Sequence, residues 1–216
     1  MVASNFEACL DVTLEWEGGY SNHPDDPGGP TMHGIIQREY NAWRAKHGLA
    51  LQPVRKISDD EVKAIYRAEY WDAMGCDNLS SGYDLVVFDA AVNNGVGRAK
   101  LWAEHFKTVD EFCNARLAFD RALGRLWRVF GHGWNERILG IRHQAEDLAA
   151  GRPIRNIYWV QEQLNKLGAA LAVDGARGPA TRAAIVKFQT DHKLAPDGLA
   201  GPLTLAAIET AVSLIS

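Results

Sequence analysis

The chain has 216 residues, of which 47% are hydrophobic and 23% charged, with 23 Lys and Arg against 27 Asp and Glu. This composition fits a globular protein of one or two domains, and it lacks the basic excess of a nucleic-acid-binding protein. No apolar run approaches the roughly 20 residues of a membrane span, so stable membrane insertion is not expected. The first residues lack a basic segment followed by an apolar core, so we expect synthesis in the cytoplasm without a signal peptide.

The first predicted helix covers residues 5–17 and ends where Gly18-Gly19 follows. The stretch 15–31 reads EWEGGYSNHPDDPGGPT and combines carboxylates with glycines and prolines. Within the first 150 residues, only the part from Gly18 to about Thr31 has room for irregular or hairpin structure. On sequence grounds Thr31 is expected to cap a helix that begins at about Gly34, although its hydroxyl could also position a water molecule.

Two carboxylates in this stretch have surroundings that favour different protonation states. Glu17 ends its helix near the negative end of the helix dipole, and Trp16 and Tyr20 could supply apolar walls, all of which favour a retained proton. Asp26 lies in a Pro- and Gly-rich turn, where solvent favours the charged form, whereas Glu15 is expected to be merely solvated. One neutral and one charged carboxyl group is the pair required for glycosidic-bond cleavage. Taken alone, the stretch could equally be an ordinary exposed loop.

Further helices are predicted before residue 150. A capping box at residues 58–61 begins a helix that runs through Trp71. The segment 83–93 is apolar nearly all round, which predicts a buried central helix that Asn94-Gly95 ends. The remaining predicted helices cover residues 96–106, 109–129 and 134–149.

The last part of the chain repeats a turn followed by a helix. The sequence VDGARGPATRAAI from Val173 recurs as PDGLAGPLTLAAI from Pro196, at an offset of 23 residues. Asp-Gly favours a turn, and proline fits the first position of a helix, so helices are predicted at about residues 179–191 and 202–212. A third helix is predicted at 157–167. The alternative is a helical tail that docks on the first domain.

A short linker with the sequence LAAGRP, at residues 148–153, separates the two parts. Helix-ending glycine and proline are typical of a domain boundary. We therefore predict one domain at residues 1–152 and a second at residues 153–216.

Residue patterns typical of other chemistries are missing from the sequence. The 7 histidines form no HExxH motif or paired Cys/His set, and no G-x-S-x-G or P-loop motif occurs. The 3 cysteines, Cys9, Cys76 and Cys113, are expected to be small buried apolar residues. Only Cys76 falls in a predicted loop, where a nucleophile would need an accessible thiol beside a base. We therefore expect carboxylate chemistry without a metal or cofactor.

The pattern E-G-G-Y-x-N-x-x-x-D-P-G-G-x-T-x-x-G-I over residues 17–35 resembles the signature of the glycoside hydrolase family 108 lysozymes. The resemblance continues through residues 75–82, 88–95 and 133–138, and so spans most of the first 150 residues. It implies a mainly α, lysozyme-like α+β domain with minimal β structure. The implied activity is that of an N-acetylmuramidase, as in phage endolysins or secretion-linked muramidases.

The same resemblance assigns the catalytic residues. The family's catalytic acid falls on Glu17, its D-P-G-G aspartate on Asp26, and its threonine on Thr31. Candidates for contact with the sugar are Tyr20, Asn22, His33 and Asn93. His33 occupies a position where the family usually has an aromatic residue, and Asn93 could instead satisfy backbone groups at a helix end.

Residues 157–212 resemble the small peptidoglycan-binding domain of cell-wall hydrolases, through V-x-x-x-L-N, V-D-G-x-x-G-P-x-T, F-Q and D-G-x-x-G-P-x-T. The two resemblances together predict a monomeric, endolysin-like lysozyme that cleaves peptidoglycan between N-acetylmuramic acid and N-acetylglucosamine. Such an enzyme would reach the cell wall or periplasm through a holin or another export route. Two alternatives stay open, namely a lytic transglycosylase that cleaves the same bond and a non-catalytic wall-binding or secretion factor.

Overall fold

A computed structural model describes residues 5–22 and 29–215 of the chain. The first helices are α1 (Phe6–Glu17), α2 (Gln37–Lys46), α3 (Asp59–Tyr66), α4 (Asp72–Met74), α5 (Tyr83–Asn94) and α6 (Val96–His105). They are followed by α7 (Val109–Ala122), α8 (Arg125–Ala149), α9 (Ile157–Lys166), α10 (Pro179–Asp191) and α11 (Pro202–Ser213). A π-helical turn, Arg67–Trp71, joins α3 to α4, and short 3₁₀ turns occur at Val54–Lys56 and Cys76–Asn78. The prediction of a mainly helical protein with minimal β structure is confirmed.

Helix α5 lies at the centre of the larger apolar core, as its sequence predicted. Nine of its residues, from Tyr83 to Ala91, are buried. The aromatic rings of Phe6 and Trp71 pack edge-on against Phe88, with centroid distances of 6.0 and 5.3 Å. Such edge-to-face contacts are favourable for aromatic pairs. The core therefore ties α1 and the end of the π-helical turn to the central helix.

The sheet consists of two very short antiparallel strands, β1 (Thr31–Met32) and β2 (Ile35–Ile36). His33 and Gly34 form the turn between them, and both have positive φ, 50° and 74°. This is the geometry of the two-residue hairpin turns that match the twist of the strands. The hairpin extends the non-helical region beyond the predicted end near Thr31.

Two sequence predictions about helix boundaries are wrong. Helix α2 begins at Gln37, and its N-cap residue is Ile36, which makes no side-chain capping hydrogen bond. Thr31 therefore does not cap this helix. The helix predicted over residues 109–129 is divided at Gly124, which has a φ of 55°. Helix α8 then runs through the glycines of residues 131–133, because packing against α7 and α5 outweighs the low helix propensity of glycine.

The second core is built by α9, α10 and α11. Its buried residues are Ile157, Val160, Leu164, Ile185, Phe188, Leu205 and Ile208. Helices α10 and α11 confirm the two helices predicted for the repeat, and α9 confirms the third predicted helix. The domain boundary at residues 152 and 153 stays a prediction.

Each copy of the repeat is held by one buried glutamine. Gln161 donates to the Asp174 carboxylate at 2.8 Å and to the Thr181 hydroxyl at 3.1 Å, and its carbonyl accepts from the backbone of Asp174 and Gly175. Gln189 makes the matching contacts in the second copy, to Asp197, Gly198 and Thr204. The D-G-x-x-G-P-x-T pattern therefore encodes a polar network in which aspartate and threonine have fixed partners.

Replacing Gln161 with alanine should lower the melting temperature of the second domain. The change removes the acceptor of two partly buried backbone N–H groups, and a lost hydrogen bond of this kind costs about 0.5–1.5 kcal/mol. Thermal unfolding followed by circular dichroism measures the effect, and Glu162→Ala at the neighbouring exposed position is the matched control. Equal melting temperatures for the two variants would contradict a structural role of the glutamine.

Candidate active site

Glu17 is the last residue of α1, and the residue that follows the helix, Gly18, has a φ of 71°. Its Oε1 atom lies 2.7 Å from Nη2 of Arg137 on α8, and 17% of the Glu17 side chain is exposed. Its Oε2 atom faces Gly34 in the hairpin turn, where an added Cβ would lie 2.8 Å away. The carboxylate is therefore held between α8 and the hairpin while one part of it remains open to solvent.

The hairpin turn is fixed beside Glu17 by a buried tyrosine. The Tyr66 hydroxyl donates a 2.6 Å hydrogen bond to the backbone carbonyl of His33. Burial, followed by the negative charge of Glu17, raises the pKa of Tyr66 well above its usual value. The Tyr66 hydroxyl therefore stays protonated, and its hydrogen bond to the turn keeps Gly34 against the carboxylate.

A chain of buried charges extends from Glu17 into the core. Arg137 contacts both Glu17 and Asp89, with its Nη2 at 2.8 Å from Asp89 Oδ1. Arg116 contacts the other oxygen of Asp89 at 2.6 Å and donates to the Asn93 side chain at 2.8 Å. The continuous path from Glu17 to Asn93 links α1, α8, α5 and α7.

Asp89 is the centre of this path, and its side chain is completely buried. Burial by itself raises the pKa of Asp89, but Arg137 and Arg116 together hold it below its usual value. Burial by itself lowers the pKa of Arg137, whereas Asp89 and then Glu17 hold it above its usual value. The charges of Asp89 and Arg137 thus stabilise each other against the effect of burial.

The predicted apolar walls beside Glu17 have other contacts. Trp16 packs against α8, where a Cβ on Gly140 would lie 2.8 Å from its ring, and the Arg177 guanidinium lies 4.4 Å from the ring centroid. Tyr20 is 44% exposed, and Arg55 lies over its ring at 5.7 Å. The neighbour of Glu17 that the structure reveals is a cation, which differs from the expected apolar wall.

Other residues named from the sequence are distributed around this site. His33 belongs to the turn held by Tyr66, Asn22 is exposed, and the Asn93 side chain binds Arg116 rather than backbone groups. The Thr31 hydroxyl donates to the Gly29 carbonyl at 3.1 Å. Asp26 lies outside the described residues.

Glu15 was expected to be solvated, and this expectation is wrong. Its side chain is only 5% exposed and accepts from the backbone N–H of Ile157 at 2.7 Å and from Arg177 at 2.8 Å. Burial raises the pKa of Glu15 despite these two donors. Trp16, the next residue, also contacts Arg177 through its ring. Helix α1 is therefore bonded directly to the second domain.

A cavity between the two domains begins beside the end of α1. Gly18, Gly19 and His33 line it from the first domain, and Tyr158 and the turn 174–177 line it from the second. The glycines expose backbone at the cavity wall, because they have no side chain to fill the space. Both parts of the chain therefore form this concave surface, which Gly18 and Gly19 line but Glu17 itself does not.

Sequence reasoning assigned no role to Arg137, Asp89 or Tyr66, although the first two fall in motifs quoted above. A charged residue within the apolar helix α5 was the available signal, since a buried carboxylate requires a partner. The identity of that partner could not be read from spacing, because Arg137 is 48 residues away.

The prediction of buried, unreactive cysteines is confirmed. Cys9, Cys76 and Cys113 are all buried and free of disulfides. Burial raises the pKa of Cys76 to about 12, with smaller contributions from nearby carboxylates, so its thiol is unsuited to nucleophilic attack. Within residues 5–22 and 29–215, no group of three or more His, Cys, Asp and Glu side chains is arranged to hold a metal ion.

Comparison with known proteins agrees with the motifs. Residues 10–95 match the family Glycosyl hydrolase 108, and residues 155–208 match a peptidoglycan binding domain. Among solved structures, the chain is similar to SagA of Brucella abortus, with 28% identity and a TM-score of 0.55 over 67% of this chain and 95% of that chain. No curated protein matches the sequence. Both resemblances stated from the motifs are thereby confirmed.

Replacing Gly34 with alanine should impair hydrolysis of cell-wall material. A Cβ there would collide with Glu17 Oε2, and displacement of a reacting group by about 1 Å can cost about 10²-fold in rate. Gly48→Ala is the matched control, because Gly48 also has positive φ but nothing within 4 Å of the added Cβ. In both variants, backbone strain at the positive φ should lower the free energy of unfolding by about 1–2 kcal/mol.

The measurement is the turnover rate on purified sacculi beside the melting temperature of each variant. Equal rates for Gly34→Ala and Gly48→Ala would show that contact between the hairpin turn and Glu17 is unimportant for catalysis.

Proposed function

We propose that this peptidoglycan hydrolase, which joins a glycosyl hydrolase 108 domain to a peptidoglycan-binding domain, is an N-acetylmuramidase. It cleaves the β-1,4 bond between N-acetylmuramic acid and N-acetylglucosamine, as a lysozyme does. The observation that carries the proposal is the position of Glu17, which combines a partly exposed carboxylate with fixed neighbours on two sides.

Glu17 acts as the general acid and protonates the leaving oxygen of the glycosidic bond. Arg137 orients it from one side, and the hairpin turn limits its movement on the other. Arg137 is also bonded to Asp89, so its charge is shared between two carboxylates. When Glu17 is protonated for catalysis, Arg137 therefore keeps a charged partner and remains in place.

Asp26 and Thr31 complete the proposed mechanism. Asp26 stabilises the oxocarbenium-like charge or helps to activate water, and the Thr31 hydroxyl assists in holding that water. Two backbone hydrogen bonds of 2.9 Å between Ser21 and Thr31 support the role of Thr31, because they hold it beside the chain that follows Glu17. Asn22, Tyr20 and Asn93 contribute to sugar binding.

The second domain holds the enzyme on its polymeric substrate. Binding to one part of the wall raises the effective concentration of nearby glycan bonds at the catalytic domain. The direct contacts of Glu15 with Ile157 and Arg177 support a fixed arrangement of anchor and active site.

The principal alternative is a lytic transglycosylase that uses the same acid but closes a 1,6-anhydro ring without water. Mass spectrometry of the released fragments distinguishes the reactions, because the anhydro product is lighter by one water molecule. A purely non-catalytic wall-binding protein would release no fragments, and it would have no use for the arrangement around Glu17.

The variant Glu17→Gln should lose wall cleavage while it retains its fold. Glutamine has nearly the same shape but cannot donate the proton, so the rate should fall by the roughly 10²–10⁴-fold typical of a lost general acid. Clearing of purified sacculi and the mass of the fragments measure the effect, and Glu15→Gln controls for the loss of a neighbouring carboxylate. Wild-type clearing by pure Glu17→Gln protein would exclude the proposed mechanism.

A protein truncated after Gly151 should still hydrolyse sacculi but should no longer sediment with them. The first domain keeps its own apolar core, whereas the residues of the peptidoglycan-binding match are removed. The fragment with residues 153–216 serves as the complementary test, since it should sediment without hydrolysis. If the truncated enzyme were retained as well as the full chain, the anchor would have to lie in the first domain.

A further inference from the structure

The start of α8, together with Leu123 just before it, carries an exposed apolar surface that the proposed reaction does not use. Its members, which we call the α8 patch, are Leu123, Leu126, Val129 and Phe130, with exposed fractions of 36%, 49%, 65% and 52%. Residues 126, 129 and 130 share one helix face because they are three and four positions apart. A contiguous apolar surface of this kind marks an interaction site more often than isolated apolar residues do.

Two tryptophan rings lie close to Phe130 of the patch or to each other. The ring of Phe130 lies 5.8 Å from that of Trp134, and Trp134 lies 6.5 Å from Trp127. The Arg121 guanidinium lies 5.8 Å from the Trp127 ring. Phe130 therefore adjoins a group of half-buried aromatic rings, and Trp127 and Trp134 can report on their surroundings by fluorescence.

Positive charge is concentrated beside the patch. Residues 121–135 contain Arg121, Arg125 and Arg128 but no aspartate or glutamate, although the whole chain has a net charge of −4. Among residues 5–22 and 29–215, neither Arg125 nor Arg128 has an ion-pair partner. The helix thus presents an apolar face next to a face of uncompensated arginines.

We propose that the α8 patch docks the protein on the surface of an anionic phospholipid bilayer. Apolar and aromatic side chains next to arginine are the combination by which amphipathic helices lie in the membrane interface. The arginines are attracted by the negative lipid headgroups, and Leu126, Val129 and Phe130 enter the boundary of the acyl chains. The protein lies on the membrane and does not cross it.

The charges favour this occupant over two others. In a symmetric contact between two copies, the same arginines would face one another, and like charges would oppose the association. A glycan strand would meet the aliphatic side chains of Leu126 and Val129, which offer no hydrogen-bond partner to sugar hydroxyls. An anionic bilayer satisfies both the apolar and the charged face at once.

Sedimentation of the full-length protein with lipid vesicles tests the proposal. Vesicles of phosphatidylglycerol and phosphatidylethanolamine should bind the protein at least tenfold more strongly than vesicles of phosphatidylcholine. Raising the salt concentration from 50 to 500 mM should weaken this binding, because the headgroup attraction is screened. Fluorescence from Trp127 and Trp134 should shift to shorter wavelength on binding.

Two double variants separate the apolar from the charged contribution. Val129→Ser with Phe130→Ser, and Arg125→Gln with Arg128→Gln, should each weaken vesicle binding at least tenfold. The controls change equally exposed residues elsewhere, with Leu51→Ser for the first variant and Arg38→Gln with Lys100→Gln for the second. All variants should keep the wild-type melting temperature and rate on lipid-free sacculi.

Several results would overturn the proposal. Equal binding to anionic and neutral vesicles, or unchanged binding by both patch variants, would exclude docking through this surface. A patch variant that alters the mass in solution would indicate a contact between copies. Weaker retention on lipid-free sacculi would assign the surface to the glycan.

Discussion

The buried carboxylate of Asp89 is the interaction on which the active-site side of the first domain depends. It lies on the central helix α5 and receives Arg116 from α7 and Arg137 from α8. Removal of one partner from such a buried pair typically costs about 3–5 kcal/mol, because the remaining charge loses its compensation. The same interaction that joins three helices therefore also fixes the arginine that reaches Glu17.

This arrangement gives the site two kinds of support. The charged path holds Glu17 from the helical side, whereas Tyr66 and Gly34 hold it from the hairpin side. The general-acid role proposed for Glu17 would benefit from such preorganisation, because the geometry of the carboxylate is set before a substrate binds. The exposed part of the carboxylate faces neither support, and in the proposed mechanism it meets the glycosidic oxygen.

The second domain is more than a separate anchor attached by a linker. Glu15 and Trp16, which immediately precede Glu17, both contact Arg177, and Gln144 of α8 exchanges hydrogen bonds with the backbone of Arg155. The second domain is thus bonded to both helices, α1 and α8, that position the Glu17 carboxylate. A glycan strand held by the second domain would meet the active site in a defined orientation, which a flexible linker could not provide.

The sequence by itself determined the elements whose cause is local. The capping box at Ser58 and Glu61, the buried character of α5, and the turn-and-helix repeat each depend on residues a few positions apart. The motif with Glu17 indicated the family and the chemistry, because its residues are contiguous in the chain. Local signals failed where packing outweighed them, as in the continuation of α8 through glycines and the uncapped start of α2.

Only the tertiary structure decided which distant residues became partners. Glu17 was expected beside apolar rings, yet its neighbour is Arg137, and Glu15 was expected in solvent, yet it is buried against the second domain. Both outcomes depend on the packing of helices that are more than 100 residues apart in the chain. Spacing along a sequence records which side chains share a helix face, but it contains no information on which other helix that face will meet.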